Sequence, residues 1–179
     1  MIPIEKNLEH LVNQYEICDK QLIDEYSLKI RLGKSYYKPD PEKFGKVITY
    51  NVGPEPKTLF MERANAEQNL SLEPGECLIA SSQHKYKIPH DYFGLVQTKG
   101  TLARLFVQAT CNDGQIEPGF DGYITLEIVN LSKWKIQIPI GSDVAQLYLV
   151  KCSSPADRAY SGRYSEECKN GPTLAIFRE

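Results

Sequence analysis

The stretch Gly122–Asn130, GYITLEIVN, decides how the rest of the chain is read. Side chains of an extended strand alternate between its two faces. Ile124, Leu126 and Ile128 therefore point one way, and Tyr123, Thr125, Glu127 and Val129 the other. The first set must be buried, which leaves Glu127 facing either solvent or the wall of a pocket. In solvent it is an ordinary charged residue. In a pocket wall, desolvation would favour its neutral form and make it a candidate general base. The residues alone leave both readings open.

Similar β-prone runs flank this stretch at intervals of about 8–12 residues. They are Ser27–Leu32, Lys46–Tyr50, Glu76–Ser81, Phe93–Thr98, Ile136–Ile138 and Val144–Lys151. Between them stand the turn sequences PDPEKFG, NVGPEP, EPGE, NDGQ, EPGFDG and PIGSD, rich in Pro, Gly, Asn and Asp. The pattern predicts a mainly β, antiparallel barrel or sandwich rather than alternating α/β units. One segment differs. Ile4, Leu8, Leu11, Val12 and Tyr15 recur every three or four residues, which predicts a short helix over about 4–16. Pro3 suits the approach to a helix start, and Glu5 suits its positive end. After Ser153 the chain turns polar and Gly/Pro-punctuated. Residues 1–152 thus read as one domain, and 153–179 as an arm whose Leu174, Ile176 and Phe177 give it a means of docking.

With 179 residues, 41% hydrophobic and 25% charged, the composition is that of a globular domain and not of a disordered chain. A chain of this length buries roughly 70% of its unfolded surface and needs no disulfide staples. The net charge of −2 provides no broad basic field for nucleic acid or anionic lipid, so any phosphate site must be local. No apolar run approaches a membrane span, and MIPIEKNLEHLVNQYE lacks the order of a secretory signal. A cytoplasmic location is expected. Five dispersed cysteines (Cys18, Cys77, Cys111, Cys152 and Cys168), without CxxC, CxxH or HxxxH, read as single reduced thiols and not as a zinc site.

Five blocks, in order and spanning essentially the whole chain, resemble the dCTP deaminase family. Leu72–Val107, LEPGECLIASSQHKYKIPHDYFGLVQTKGTLARLFV, is similar to its PGE and GRSSLARLGL core. Asp113–Asn130 resembles its IDPGFxGxITLELxN segment, and Pro139–Lys151 its PGMRIAQLVF strand. Ser27–Gly33 and Ala159–Thr173 extend the likeness to an SxDLRLG element and a YxGKYQxQxGPT tail.

The resemblance implies a dUTPase-like fold, a distorted antiparallel β-barrel or jelly roll with a short N-terminal helix and an extended C-terminal arm. It further implies a homotrimer with shared active sites. The implied reaction is zinc-independent hydrolytic deamination of dCTP to dUTP and ammonia, with Mg²⁺ carried on the triphosphate. Some members also cleave dUTP to dUMP and diphosphate. The family's general base falls on Glu127, where the related dUTPases have an apolar residue. Arg104, 23 positions earlier, matches the Arg that holds the water and the charge balance. Lys99, Gly100 and Thr101 fall on the triplet that meets the triphosphate, where a Lys acts as a point charge and a Gly-containing turn offers N–H groups. Phe120 falls under the deoxyribose, positioned to exclude a 2′-hydroxyl. Gln115, Glu117 and Gln146 match positions around the nucleotide. Tyr160, Arg163 and Tyr164 match the arm that closes on it.

The chain also departs from the pattern. Gly100 stands for the triplet's first Ser, Glu117 for Asp, Gln115 for an Arg of some members, and Lys29 for a common Asp. SEECK (Ser165–Lys169) replaces a Gln-containing stretch. Losing the Ser hydroxyl removes a polarising contact, and the longer Glu117 counts against dUTP cleavage. Beside the deaminase stand two alternatives: a dUTP diphosphatase, alone or combined with deamination, and a nucleotide-binding regulator with weak or lost catalysis.

Overall fold

The computed structural model describes residues 1–110 and 112–177. The thiol at Cys111 and the last two residues of the arm lie outside the described residues. In chain order the elements begin with helix α1 (Glu5–Tyr15) and strands β1 (Leu28–Tyr37), β2 (Ala64–Asn65), β3 (Asn69–Leu72), β4 (Cys77–Lys87) and β5 (Tyr92–Thr98). Then come the four-residue helix α2 (Gly100–Ala103) and strands β6 (Val107–Gln108), β7 (Gln115–Ile116), β8 (Asp121–Asn130), β9 (Ile136–Pro139) and β10 (Asp143–Lys151).

Strand β1 is the seam. Its first half pairs antiparallel with β10, with Leu28 opposite Leu147. Its second half pairs with β4, with Leu32 opposite Ser82. Register shifts at Ile30/Arg31 and between Leu32 and Tyr36 let one strand serve both partners, and such irregularities bend and twist a ladder. The resulting sheet, β6-β8-β4-β1-β10-β5-β7 with β2 added on β1, curls into an antiparallel half-barrel. Strands β3 and β9 form a separate pair. The mainly β expectation holds.

Alternation decides which faces meet inside. Ile124, Leu126 and Ile128 of β8 are at most 2% exposed, and Leu28, Ile30 and Leu32 of β1 are fully buried. Each such Leu or Ile contributes roughly 1.5–3 kcal/mol when buried. Leu8, Leu11 and Val12 of α1 join this core, whereas Ile4 is the exposed N-cap and Tyr15 is half-buried. The helix stops at Glu16, whose left-handed backbone turns its N–H to the Val12 carbonyl. The buried Asn130 amide donates to the carbonyls of Leu72 (3.1 Å) and Trp134 (2.8 Å), which fixes the chain where β8 ends.

Two sequence expectations change. Lys46–Tyr50 is not a strand: it lies in the loop between β1 and β2, where Thr49 and Gly53 form only an isolated bridge. Its Val and Tyr favour strands, but β propensity needs a neighbouring strand, and Val47 and Tyr50 stand 86% and 79% exposed. Conversely, Asn69–Leu72 forms β3 because β9 lies alongside it.

After β10 the chain returns across the start of β8. The Ala156 and Tyr160 N–H groups donate to the carbonyls of His90 (2.7 Å) and Pro118 (3.1 Å), and a 3₁₀ turn follows at Glu167–Asn170. Among the described residues no helix is long and apolar enough to cross a membrane.

Candidate active site

The outward face of β8 is the floor of a cavity of about 340 Å³. Tyr123, Thr125 and Glu127 come from the strand, Gln115 and Glu117 from the chain before it, and Tyr160, Tyr164 and Leu174 from the arm. Glu127 is therefore a half-buried wall residue and not a solvent-facing one. Its Oε2 accepts from the Asn112 N–H at 2.9 Å and, at a longer 3.4 Å, from that of Asp113. The NDG turn carries these two N–H groups to the strand, while its Gly114 carbonyl accepts from the Val96 N–H of β5 at 2.7 Å. Both bonds fall on Oε2, and none made by the described residues falls on Oε1.

The EPGF turn and the arm are built against each other. Gly119 has φ +82°, and a Cβ there would lie 2.6 Å from Ala159 Cα and 2.8 Å from Tyr160 N. Only glycine satisfies both the turn and the arm. Phe120 follows, 7% exposed, with its ring centroid 6.3 Å from that of Tyr160. Burial pushes the Tyr160 hydroxyl's pKa up, and the Glu117 carboxylate nearby adds to this. At Gly122 a Cβ would sit 2.6 Å from the sulfur of the buried Cys168. Further along, Thr125 Oγ1 accepts from the Thr173 N–H at 3.1 Å and pairs with its hydroxyl at the same distance.

Six of the twelve residues singled out from the sequence meet at this cavity: Glu127, Gln115, Glu117, Phe120, Tyr160 and Tyr164. The others do not line it in the single chain. Lys99, Gly100, Thr101 and Arg104 belong to α2 and its ends, where the exposed Arg104 folds back to donate to the Gly100 carbonyl at 2.9 Å. A Cβ on Gly100 would lie 2.8 Å from that guanidinium, so Arg104 occupies the space that a side chain at position 100 would take. Gln146 on β10 sits opposite Lys29 and Gln97, its amide donating to Ser27 Oγ at 3.0 Å. The Arg163 guanidinium donates to the Ile176 carbonyl and braces the arm.

Among its described wall residues the cavity has no Lys, Arg or His. Among the described residues no three His, Cys, Asp or Glu side chains gather as a metal site. The wall also holds Phe60, Tyr123, Thr125, Cys168 and Thr173, which the sequence reading had not proposed for the site. Alternation along GYITLEIVN already placed Tyr123 and Thr125 on the Glu127 face, whereas Phe60 arrives from an irregular loop that leaves no pattern.

A family model described as dCTP deaminase-like matches residues 4–152. The chain is 30% identical over 175 residues to a "dCTP deaminase, dUMP-forming" of Kocuria rhizophila, covering 96% of this chain and 90% of that one. A protein of the same name from Corynebacterium glutamicum is 32% identical, covering 88% and 84%. The crystal structure of a 2′-deoxycytidine 5′-triphosphate deaminase from Agrobacterium tumefaciens shares the fold at 19% identity and a TM-score of 0.61. It matches 83% of this chain, which spans about half (47%) of that longer chain. The chain thus belongs to the dCTP deaminase-like family.

Proposed function

We propose that the protein deaminates dCTP in the cytoplasm with Glu127 as general base, and carries the nucleotide on to dUMP and diphosphate. The observation behind this is the Glu127 carboxylate itself, anchored through Oε2 by two backbone N–H groups in the wall of the cavity. A carboxylate so held takes a proton from water as its oxygen attacks C4 of cytosine. The C4–N4 bond then breaks, and the proton leaves with the amine as ammonia. A second water attacks the α-phosphorus, displacing diphosphate. In sum, dCTP and two waters give dUMP, ammonia and diphosphate. Glu117, on the same wall, is the carboxylate available to the second water.

The relatives' name supports this product in place of the dUTP expected from the sequence. Phe120 beside Tyr160 provides an apolar floor for a deoxyribose, where a 2′-hydroxyl would lack room and partners. Mg²⁺ would enter on the triphosphate and supply charge neutralisation there. The exposed carboxylates of Asp113 and Glu117 suit an ion bound through water.

A triphosphate also needs cations, which the described residues of the cavity wall do not supply. We assign them to Lys99 and Arg104 of a neighbouring subunit in a homotrimer, with Arg163 closing from the arm. Around α2 the surface is apolar: Leu105, Phe106 and Leu131 are 43%, 61% and 57% exposed, and the Leu131 N–H bonds the Phe106 carbonyl. Such a patch suits burial against another copy.

The test is product analysis by ion-exchange chromatography after incubation with dCTP and Mg²⁺. dUMP and diphosphate in equal amounts support the combined reaction. Accumulation of dUTP that the protein does not cleave limits it to deamination. Binding of dCTP with no product contradicts the enzymatic reading and makes the protein a nucleotide-binding regulator.

A further inference from the structure

Thr125 lies between Tyr123 and Glu127 on the cavity face of β8, two positions from the carboxylate. The other face of this strand is locked in the core, with Ile124 and Leu126 at most 2% exposed. The hydroxyl at 125 therefore has a fixed address, and a β-branched side chain holds it in a narrow range of rotamers. It is spent on the arm: Oγ1 accepts from the Thr173 N–H and pairs with the Thr173 hydroxyl, both at 3.1 Å. Gly171 and Pro172, just before Thr173, are buried, and Leu174 and Ala175, just after it, are cavity wall. Upstream the arm is seated by close packing at Gly119 and Gly122. Backbone bonds at His90 and Pro118 and the Arg63 bond to the Asn170 carbonyl hold the arm further upstream, and the tie at Thr125 is the one made from the cavity floor next to Leu174 and Ala175.

We propose that Thr125 is a positioning residue that ties the C-terminal arm to the floor of the cavity through Thr173, and so sets how closely Leu174 and Ala175 cover the space before Glu127. Its kinetic consequence rests on the deaminase reading; the tie itself does not. A valine at 125 fills the same volume but leaves the Thr173 N–H without its acceptor, a loss that opens such a contact about tenfold more often. An arm that lifts takes two wall residues with it and admits bulk water to the site.

Hydrogen exchange at the residue 173 amide, followed by residue-resolved NMR on the full chain, reads the tie directly. Thr125→Val is expected to speed this exchange about tenfold, while Thr125→Ser, which keeps the hydroxyl, stays near wild type. With dCTP as substrate, Thr125→Val is expected to lower kcat/KM about tenfold, mainly through KM, with Thr125→Ser restoring it. Thr173→Ala lies outside the sheet and deletes the hydroxyl pair alone, so a smaller rise in exchange is expected even if Thr125→Val folds poorly. Glu127→Gln is the control: it removes turnover and leaves the arm protected. Unchanged exchange in both Thr125→Val and Thr173→Ala overturns the tie, as does a Thr125→Ser variant as labile as the valine. Inactivity of wild type on dCTP overturns the deaminase reading, with the exchange data still deciding the tie.

Discussion

Glu127 is held by the strand that carries it and by a turn that folds back over its carboxylate. Strict alternation through GYITLEIVN put it opposite Ile124, Leu126 and Ile128, and all three are core. Its anchoring by the Asn112 and Asp113 N–H groups depends on how the NDG turn folds back across β8, a tertiary event with no local signature. Phe120 and Phe60 show the same contrast, since the first follows a recognisable EPGF turn and the second an irregular loop. Because Phe120 is 7% exposed and packs on Tyr160, Phe120→Ala is expected to cost about 3 kcal/mol in urea unfolding. A loss below about 1 kcal/mol would mean that the ring is not part of the core. A second residue-scale expectation concerns Glu76. Burial pushes its carboxyl pKa up, but the Lys38 ammonium at 2.6 Å and the Glu73 N–H outweigh this and hold it below the ordinary 4.5. A carboxyl lowered in the folded state adds stability above its unfolded pKa and loses it as pH falls through the folded value. Glu76→Gln should therefore cost about 0.5–1 kcal/mol at neutral pH, and the difference from wild type should vanish in acid below the folded pKa. Urea midpoints across a pH series check both points.

At the scale of elements, the strands were legible wherever apolar alternation met a partner strand. Lys46–Tyr50 had the right residue types but no neighbour, and it stays in an exposed loop. The arm was legible only as a change in composition. Its seat is made by glycines at 119 and 122, whose missing Cβ atoms admit Ala159, Tyr160 and Cys168. A methyl at 122 would clash with the Cys168 sulfur, so Gly122→Ala is expected to unseat the 3₁₀ turn at Glu167–Asn170 and raise its protease sensitivity. Wild-type cleavage rates in that variant would show that the arm does not rest there. Truncation after Cys152 removes Tyr160, Tyr164 and Leu174 from the cavity and should lower dCTP turnover at least tenfold. The remaining strands should still unfold cooperatively, because their pairing with one another does not include the arm. Full activity in the truncated protein would remove the arm from the mechanism.

For the whole molecule, length and a net charge of −2 described a self-sufficient globular chain, yet among its described residues the cavity wall has no cation, while Lys99 and Arg104 stand at the two ends of α2 outside it. No reading of one chain shows where a second chain brings its α2. The proposed trimer has a distinctive consequence. Mixing Glu127→Gln with Arg104→Ala subunits and allowing exchange should restore activity at about a quarter of the interfaces, since those combine an intact residue from each parent. No rescue, with light scattering showing monomers, would contradict shared sites. The central claim is that the Glu127 carboxylate deaminates dCTP, and ammonia release from dCTP by wild type and Glu127→Gln tests it most directly. The account expects steady release by wild type and a loss of at least 100-fold in the amide variant, with the fold and dCTP binding retained. Equal release by the two proteins, or none by either, would contradict it.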